Sequence, residues 1–99
     1  MTAMKAAERL QAELTRLGID SDINHGYGCA LISVWTNLVI WTDGTRYWWR
    51  TAWNPQCARY TYACHPGHEP NRAARRIARR YTQVREQHPP APKMTGHPL

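Results

Sequence analysis

The pair Asp43-Gly44 is the feature that most restricts how this chain folds. It lies between two runs dominated by β-branched and aromatic residues, 38–42 and 46–53. An Asp-Gly step flanked in this way is a strong short-range signal for a β-hairpin, and it favours a two-residue type I′ turn. The turn then sets the register. Thr42 is expected opposite Thr45, Trp41 opposite Arg46, Ile40 opposite Tyr47, Val39 opposite Trp48, Leu38 opposite Trp49 and Asn37 opposite Arg50. One face of the hairpin carries Leu38, Ile40, Tyr47 and Trp49 and is expected to be core. The other carries Asn37, Val39, Trp41, Arg46, Trp48 and Arg50, and it is left to solvent or to a partner.

Helical periods flank this strand-rich centre. Over 2–17, Ala3, Ala7, Leu10, Leu14 and Leu17 recur at alternating steps of four and three, with Gly18 placed to cap the helix end. From Ile19 the period changes to that of strands. Residues 19–24 read as a short edge strand, Gly26-Tyr27-Gly28 as a turn, 29–35 as a strand, and 59–64 as one more. In 29–35 both alternating sets are apolar, so either can face inward, depending on the turn at Trp35-Thr36-Asn37. Asn54-Pro55 breaks the strand before it, and His65-Pro66-Gly67-His68 reads as a loop. Pro70 suits the first turn of a second helix that runs to about Gln87. The order predicts a two-layer α+β domain over 1–88: helix, an antiparallel meander of three to five strands, helix, with both helices on one sheet face. Residues 89–99 hold four of the seven prolines and read as a disordered tail.

Charge is unevenly placed. The 99 residues carry 13 Lys+Arg against 7 Asp+Glu, a net charge of +6. Residues 1–68 hold six basic and five acidic groups, whereas 69–88 hold six Arg and two Glu. On the second helix Ala74, Ile77, Ala78, Tyr81 and Val84 share one side. Arg72, Arg75, Arg76 and Arg79 share the other, with Arg80 at its margin. Guanidinium forks bind phosphate oxygens in pairs, so this stripe fits a nucleic-acid contact. It also fits a solvated helix face in an Arg-biased genome, because the basic set is eleven Arg and only two Lys.

The Trp/Arg sheet face has three readings: cation–π pairs that only order the surface, a platform that stacks bases and neutralises phosphates, or anchors of a protein interface. Metal and catalytic chemistry find little support. Cys57, Cys64, His65 and His68 form the one metal-like cluster, and their spacing matches no recognised zinc pattern, so no metal and no cofactor is expected. Cys64 beside His65 lacks an orienting acid other than Glu69, and an enzyme is not expected. No run of about 18 apolar residues is present, which argues against a membrane partner. The charged segment 1–17 lacks the apolar core of a signal peptide, and three cysteines cannot close a disulfide set, so a cytoplasmic location is expected.

The stretches 26–35, 38–44 and 73–81 resemble small proteins of Streptomyces and related actinobacteria across roughly residues 5–88. That resemblance implies a bacterial cytoplasmic protein and brings no mechanism with it. The layout is also loosely similar to the double-stranded-RNA-binding fold, where basic residues open the last helix. Arg72, Arg75 and Arg76 match that role by position and charge, and the Lys-Lys signature is absent. The leading expectation is a small nucleic-acid-binding or regulatory accessory domain. Arg72, Arg75, Arg76, Arg79 and Arg80 contact phosphates in it, and Trp41, Arg46, Trp48 and Arg50 form a second contact area. The rival is a protein-interaction module, for a protein partner or a second copy in a homodimer, that uses the Trp/Arg face and binds no nucleic acid.

Overall fold

The computed structural model describes residues 2–87, so the proline-rich tail and Lys93 lie outside the described residues. The element order is α1 (Ala3–Arg16), β1 (Asp22–Gly26), β2 (Cys29–Trp35), β3 (Leu38–Thr42), β4 (Arg46–Asn54), β5 (Arg59–Pro66) and α2 (Pro70–Gln87). The five strands form one antiparallel sheet in the order β1-β2-β3-β4-β5. Both helices pack on one face of it, as the alternation of apolar residues requires.

Helix α1 begins where Thr2 Oγ1 accepts from the Lys5 N–H at 3.1 Å, which satisfies one of the donors left open at a helix start. Its end is a Schellman motif. Gly18 takes a left-handed φ of 79°, its N–H bonds the Thr15 carbonyl, and the Ile19 N–H bonds the Leu14 carbonyl. That reversal brings Ile19 down onto Leu14, and both are buried. The expected stripe therefore needs correction at both ends. Leu17 is 48% exposed because the helix ends before it, and Ala6 is buried beside Ala7. Ile19 belongs to the core and not to a strand, since β1 starts only at Asp22.

The hairpin register differs from expectation. Thr42 pairs with Tyr47, Trp41 with Trp48 and Ile40 with Trp49, which leaves four residues in the loop. A type I′ turn needs positive φ at both central residues; here Gly44 has it at 98° and Asp43 does not. The Asp43 carboxylate prevents the tighter turn. Its Oδ1 accepts from Thr45 N–H (2.9 Å), Thr45 Oγ1 (2.7 Å) and Arg46 N–H (3.3 Å), while Thr42 Oγ1 donates to the Arg46 carbonyl at 2.7 Å. The shift is two residues, an even number, so every side chain keeps its expected face. The type I′ dihedrals appear instead at Tyr27 (φ 55°) and Gly28 (φ 77°), which join the paired residues Gly26 and Cys29.

Two bulges settle what strand alternation left open. The β2–β3 register steps between Ser33 and Trp35, so Val34 and Trp35 together answer one residue of β3. Ala30, Ile32 and Val34 face the helices, and Trp35 joins them, edge-on to Tyr81 of α2 at 6.0 Å. In β4 the register steps between Arg50 and Ala52, with Thr51 as the extra residue. Strand β5 runs on through His65 and Pro66, where a loop was expected. The chain turns only at Gly67, whose N–H bonds the Thr45 carbonyl at 2.8 Å.

The core joins Ala6, Ala7, Leu10 and Leu14 of α1 to Ala73, Ala74 and Ile77 of α2 over Ile32, Leu38, Ile40, Tyr47 and Trp49. Tyr47 is fully buried, and its hydroxyl donates to the Ala6 carbonyl at 2.8 Å, which ties β4 to α1. Burial pushes the Tyr47 hydroxyl up to about 12, against a smaller opposing pull from the Arg9 charge. No helix among the described residues is long and apolar enough to cross a membrane.

Candidate functional site

Among the described residues, no element covers the sheet face opposite the helices. On β3 and β4 it presents Val39, Trp41, Arg46, Trp48 and Arg50, the residues that the alternation assigns there. Asn37 sits in the β2–β3 turn with a left-handed φ of 63° and still lines a hollow on this face with Val39, Trp41 and Arg50. Strand β5 extends the same face, since Trp48 pairs with Cys64 and Arg50 with Tyr62.

The Thr51 bulge adds a residue that alternation alone sends to the other side. After it Trp53 pairs with Tyr60 and packs edge-on against that ring at 5.0 Å. Arg50 lies over Tyr60 at 4.3 Å and over Trp41 at 6.0 Å, and Trp41 meets Tyr62 at 6.3 Å. Five aromatic rings and two guanidinium groups thus form one patch across three strands. Trp53, Tyr60 and Tyr62 are 53%, 42% and 55% exposed. Shallow hollows mark the patch, one of ≈ 310 Å³ between Trp41, Trp48 and Tyr62 and one of ≈ 350 Å³ beside Arg46 and Trp48.

Trp53, Tyr60 and Tyr62 were absent from the sequence-based set. The alternation Arg59-Tyr60-Thr61-Tyr62 held the signal for the tyrosines, because a strand puts residues two apart on one face. Trp53 had no such signal, since its face depends on the bulge.

The electrostatics of this patch are one-sided. Between Asn37 and His68 the chain holds a single carboxylate, Asp43, against Arg46, Arg50 and Arg59. Asp43 is committed to its own turn. The Thr45 hydroxyl, then the Thr45 N–H, hold its carboxyl below the usual value.

The arginines of α2 do not act as one stripe. Arg72 lies 3.5 Å from Glu69, whose other oxygen is 3.1 Å from His65 Nε2. Arg76 is exposed but leans onto β5: its Nη1 donates to the Cys64 carbonyl at 2.8 Å and lies 3.1 Å from His65 Nδ1, with the guanidinium over Trp49 at 5.2 Å. Arg80 is partly buried and reaches Gln83 Oε1 at 3.4 Å. Arg75 and Arg79 are exposed, with no ion pair among the described residues. The helix lies on the opposite layer from the aromatic patch, so the two candidate surfaces meet only around the β5 edge.

The Cys/His cluster is dispersed. Cys57 is in the β4–β5 turn, Cys64 is near the far end of β5, and His65 points away from Cys64 toward Glu69. Among the described residues no three His, Cys, Asp or Glu side chains stand close enough to share a metal ion. Comparison with protein-family models, with curated proteins and with solved structures finds no match, so these surfaces are read from their own geometry.

Proposed function

We propose that the open sheet face binds single-stranded nucleic acid. One observation carries this reading: a patch, uncovered among the described residues, in which half-buried Trp41 and Trp48 and exposed Trp53, Tyr60 and Tyr62 are interleaved with Arg46 and Arg50, with its one nearby acid already engaged. Bases stack on aromatic rings at about 1–3 kcal/mol each, and guanidinium groups between the rings meet the phosphates that separate those bases. A duplex hides its base faces, so the patch selects unpaired strands. Arg75 and Arg79 on α2 add positive potential that draws the polyanion in.

The test is a tryptophan-fluorescence titration of the full chain with oligo(dT), oligo(U) and a duplex at two salt concentrations. Single strands are expected to quench the emission and to bind more weakly as salt rises. Trp48→Ala and Arg50→Gln should each weaken binding by about tenfold. No quenching at low salt, or a preference for the duplex, refutes the reading.

A second reading is favoured by the β2–β3 part of the same face. Cys29, Leu31 and Val39 are half-buried and apolar there, a surface that suits a protein cover, including a second copy of this chain. Light scattering of the native chain and of Trp48→Ala separates the two. A dimer that Trp48→Ala dissociates supports the protein interface, and a monomer in both removes its self-associating form.

A further inference from the structure

On the helix side of the sheet, beyond the flank of α2, the β4–β5 ribbon leaves a groove of ≈ 200 Å³. Trp49 and Thr51 form its sheet wall, and Arg76, Arg79, Arg80 and Gln83 form its helix wall. No acid lines it.

We propose that this groove is a binding site for a phosphate dianion, the terminal group of a phosphate monoester. Three guanidinium groups around so small a hollow repel one another, and a dianion offsets that repulsion better than a single charge does. Arg76 is already oriented by the Cys64 carbonyl and by the ring of Trp49, so it offers its remaining donors without further ordering. The Thr51 hydroxyl is paired with the Thr61 hydroxyl at 2.8 Å, and Thr61 Oγ1 also reaches the Ala52 carbonyl at 3.3 Å; when Thr61 turns its proton to Thr51 instead, the Thr51 proton is released toward an oxyanion in the groove. Gln83 spends its carbonyl on Arg80 and keeps its amide donors.

A second, independent observation points to the same ligand. Arg80 Nε is shielded from solvent and has no hydrogen-bond partner among the described residues. A buried donor without an acceptor is costly, and a small rotation of the guanidinium onto a phosphate oxygen relieves it. The site stands whether or not the aromatic face carries a strand, because the two lie on opposite sides of the β4–β5 ribbon.

The experiment is a titration of the full-length, ¹⁵N-labelled chain with inorganic phosphate at constant ionic strength, with chloride as the reference. The reporters are the Arg Nε–H signals and the Thr51 amide. Saturable shifts at Arg80 and Thr51 are expected. Arg79→Gln should weaken them about tenfold, while Arg75→Gln, the same charge change outside the groove, should leave them within about twofold. Both positions are exposed, and Gln83→Ala gives a third variant that alters no charge.

Oligonucleotides with a 5′-phosphate and with a 5′-hydroxyl then distinguish the source. Tighter binding of the phosphorylated strand assigns the groove to a strand end. Equal binding of the two, with phosphate shifts intact, assigns it to a free phosphate compound. Absence of saturable shifts with phosphate, or equal losses in Arg75→Gln and Arg79→Gln, overturns the proposal. Failure of the oligo(dT) titration with phosphate shifts retained overturns only the strand-binding reading.

Discussion

Replacing Tyr47 with Phe deletes one oxygen and should reverse the order of stabilities between neutral and alkaline pH. The Tyr47 hydroxyl donates to the Ala6 carbonyl at 2.8 Å in a fully buried setting. That carbonyl also accepts within α1, so its loss of Tyr47 leaves no orphaned group, and the cost at neutral pH is about 1 kcal/mol. Alkaline pH adds the opposite effect. The hydroxyl is raised from 10.0 to about 12 in the folded chain. The unfolded chain therefore releases this proton first, so stability is full below the unfolded value and is lost as pH rises from there toward 12. At about pH 11 the unfolded tyrosine is largely ionised and the folded one is not, which lowers the stability of the native chain by roughly 1.4 kcal/mol. Tyr47→Phe has no such loss. It should be less stable than the native chain by about 1 kcal/mol at about pH 7 and slightly more stable at about pH 11. Every other group is common to the two chains and cancels in the comparison. Urea unfolding followed by tryptophan emission at several pH values measures the difference. A gap that stays constant with pH refutes the assignment of a raised Tyr47, and no gap at neutral pH refutes the hydrogen bond.

Two further perturbations test how the sheet is closed. A Cβ at Gly67 meets the Thr45 carbonyl carbon at 2.8 Å and the Arg46 nitrogen at 3.1 Å, both backbone atoms, so Gly67→Ala should cost roughly 1–3 kcal/mol in urea unfolding. Gly26→Ala, which meets nothing within 4 Å, serves as its control, and equal midpoints for the two variants refute the close approach. Asp43 is exposed, and its carboxyl is held below 3.8 chiefly by the Thr45 hydroxyl. Its contribution is present above the unfolded value and is lost as pH falls through the folded one. The melting-temperature gap between the native chain and Asp43→Ala should therefore narrow on acidification, and a gap that widens contradicts the turn geometry.

The hairpin faces were legible in the sequence although the hairpin register was not. Alternation has a period of two, so the error of two residues at Asp43-Gly44 moved every pair along the strand and none across the sheet. The turn itself was misread because Asp-Gly is a backbone signal, whereas here the Asp side chain captures Thr45 and Arg46 and widens the loop. Trp35 and Trp53 were illegible for a different reason. Each lies just past a bulge, at Val34 and at Thr51, and a single added residue sends a side chain to the opposite face. Leu17 fitted the helical period, yet Gly18 turned the chain before the stripe reached it. The Arg residues of α2 were placed correctly along the helix. Their division into groups that stand clear and groups held against the sheet depends on β5, which pairs with α2 only in three dimensions.

That division changes what the excess of arginine means. Eleven Arg against two Lys suits a polyanion, but three of those arginines work as flat partners for rings inside this chain. Arg50 lies over Tyr60, Arg76 over Trp49, and Arg85 over Trp35 and Tyr81 at 5.0 and 5.5 Å. A planar, weakly hydrated guanidinium stacks in this way where an ammonium holds its water. With rings exposed along β4 and β5 and partly buried at the end of α2, Arg is the basic residue that covers rings without losing its charge. Arg72 is offset by Glu69, and Arg80 is half-withdrawn against Gln83. The charge left to attract a partner through α2 is then greatest at Arg75 and Arg79; Arg76 is exposed but held against β5, and Arg80 is partly buried on the groove wall. Net charge alone predicts a diffuse, salt-sensitive attraction spread along the helix. The placement predicts two separate behaviours, stacking on the open face and a compact anion site behind it, and substitutions at Arg75 and Arg79 distinguish the two because they carry equal charge in unequal surroundings.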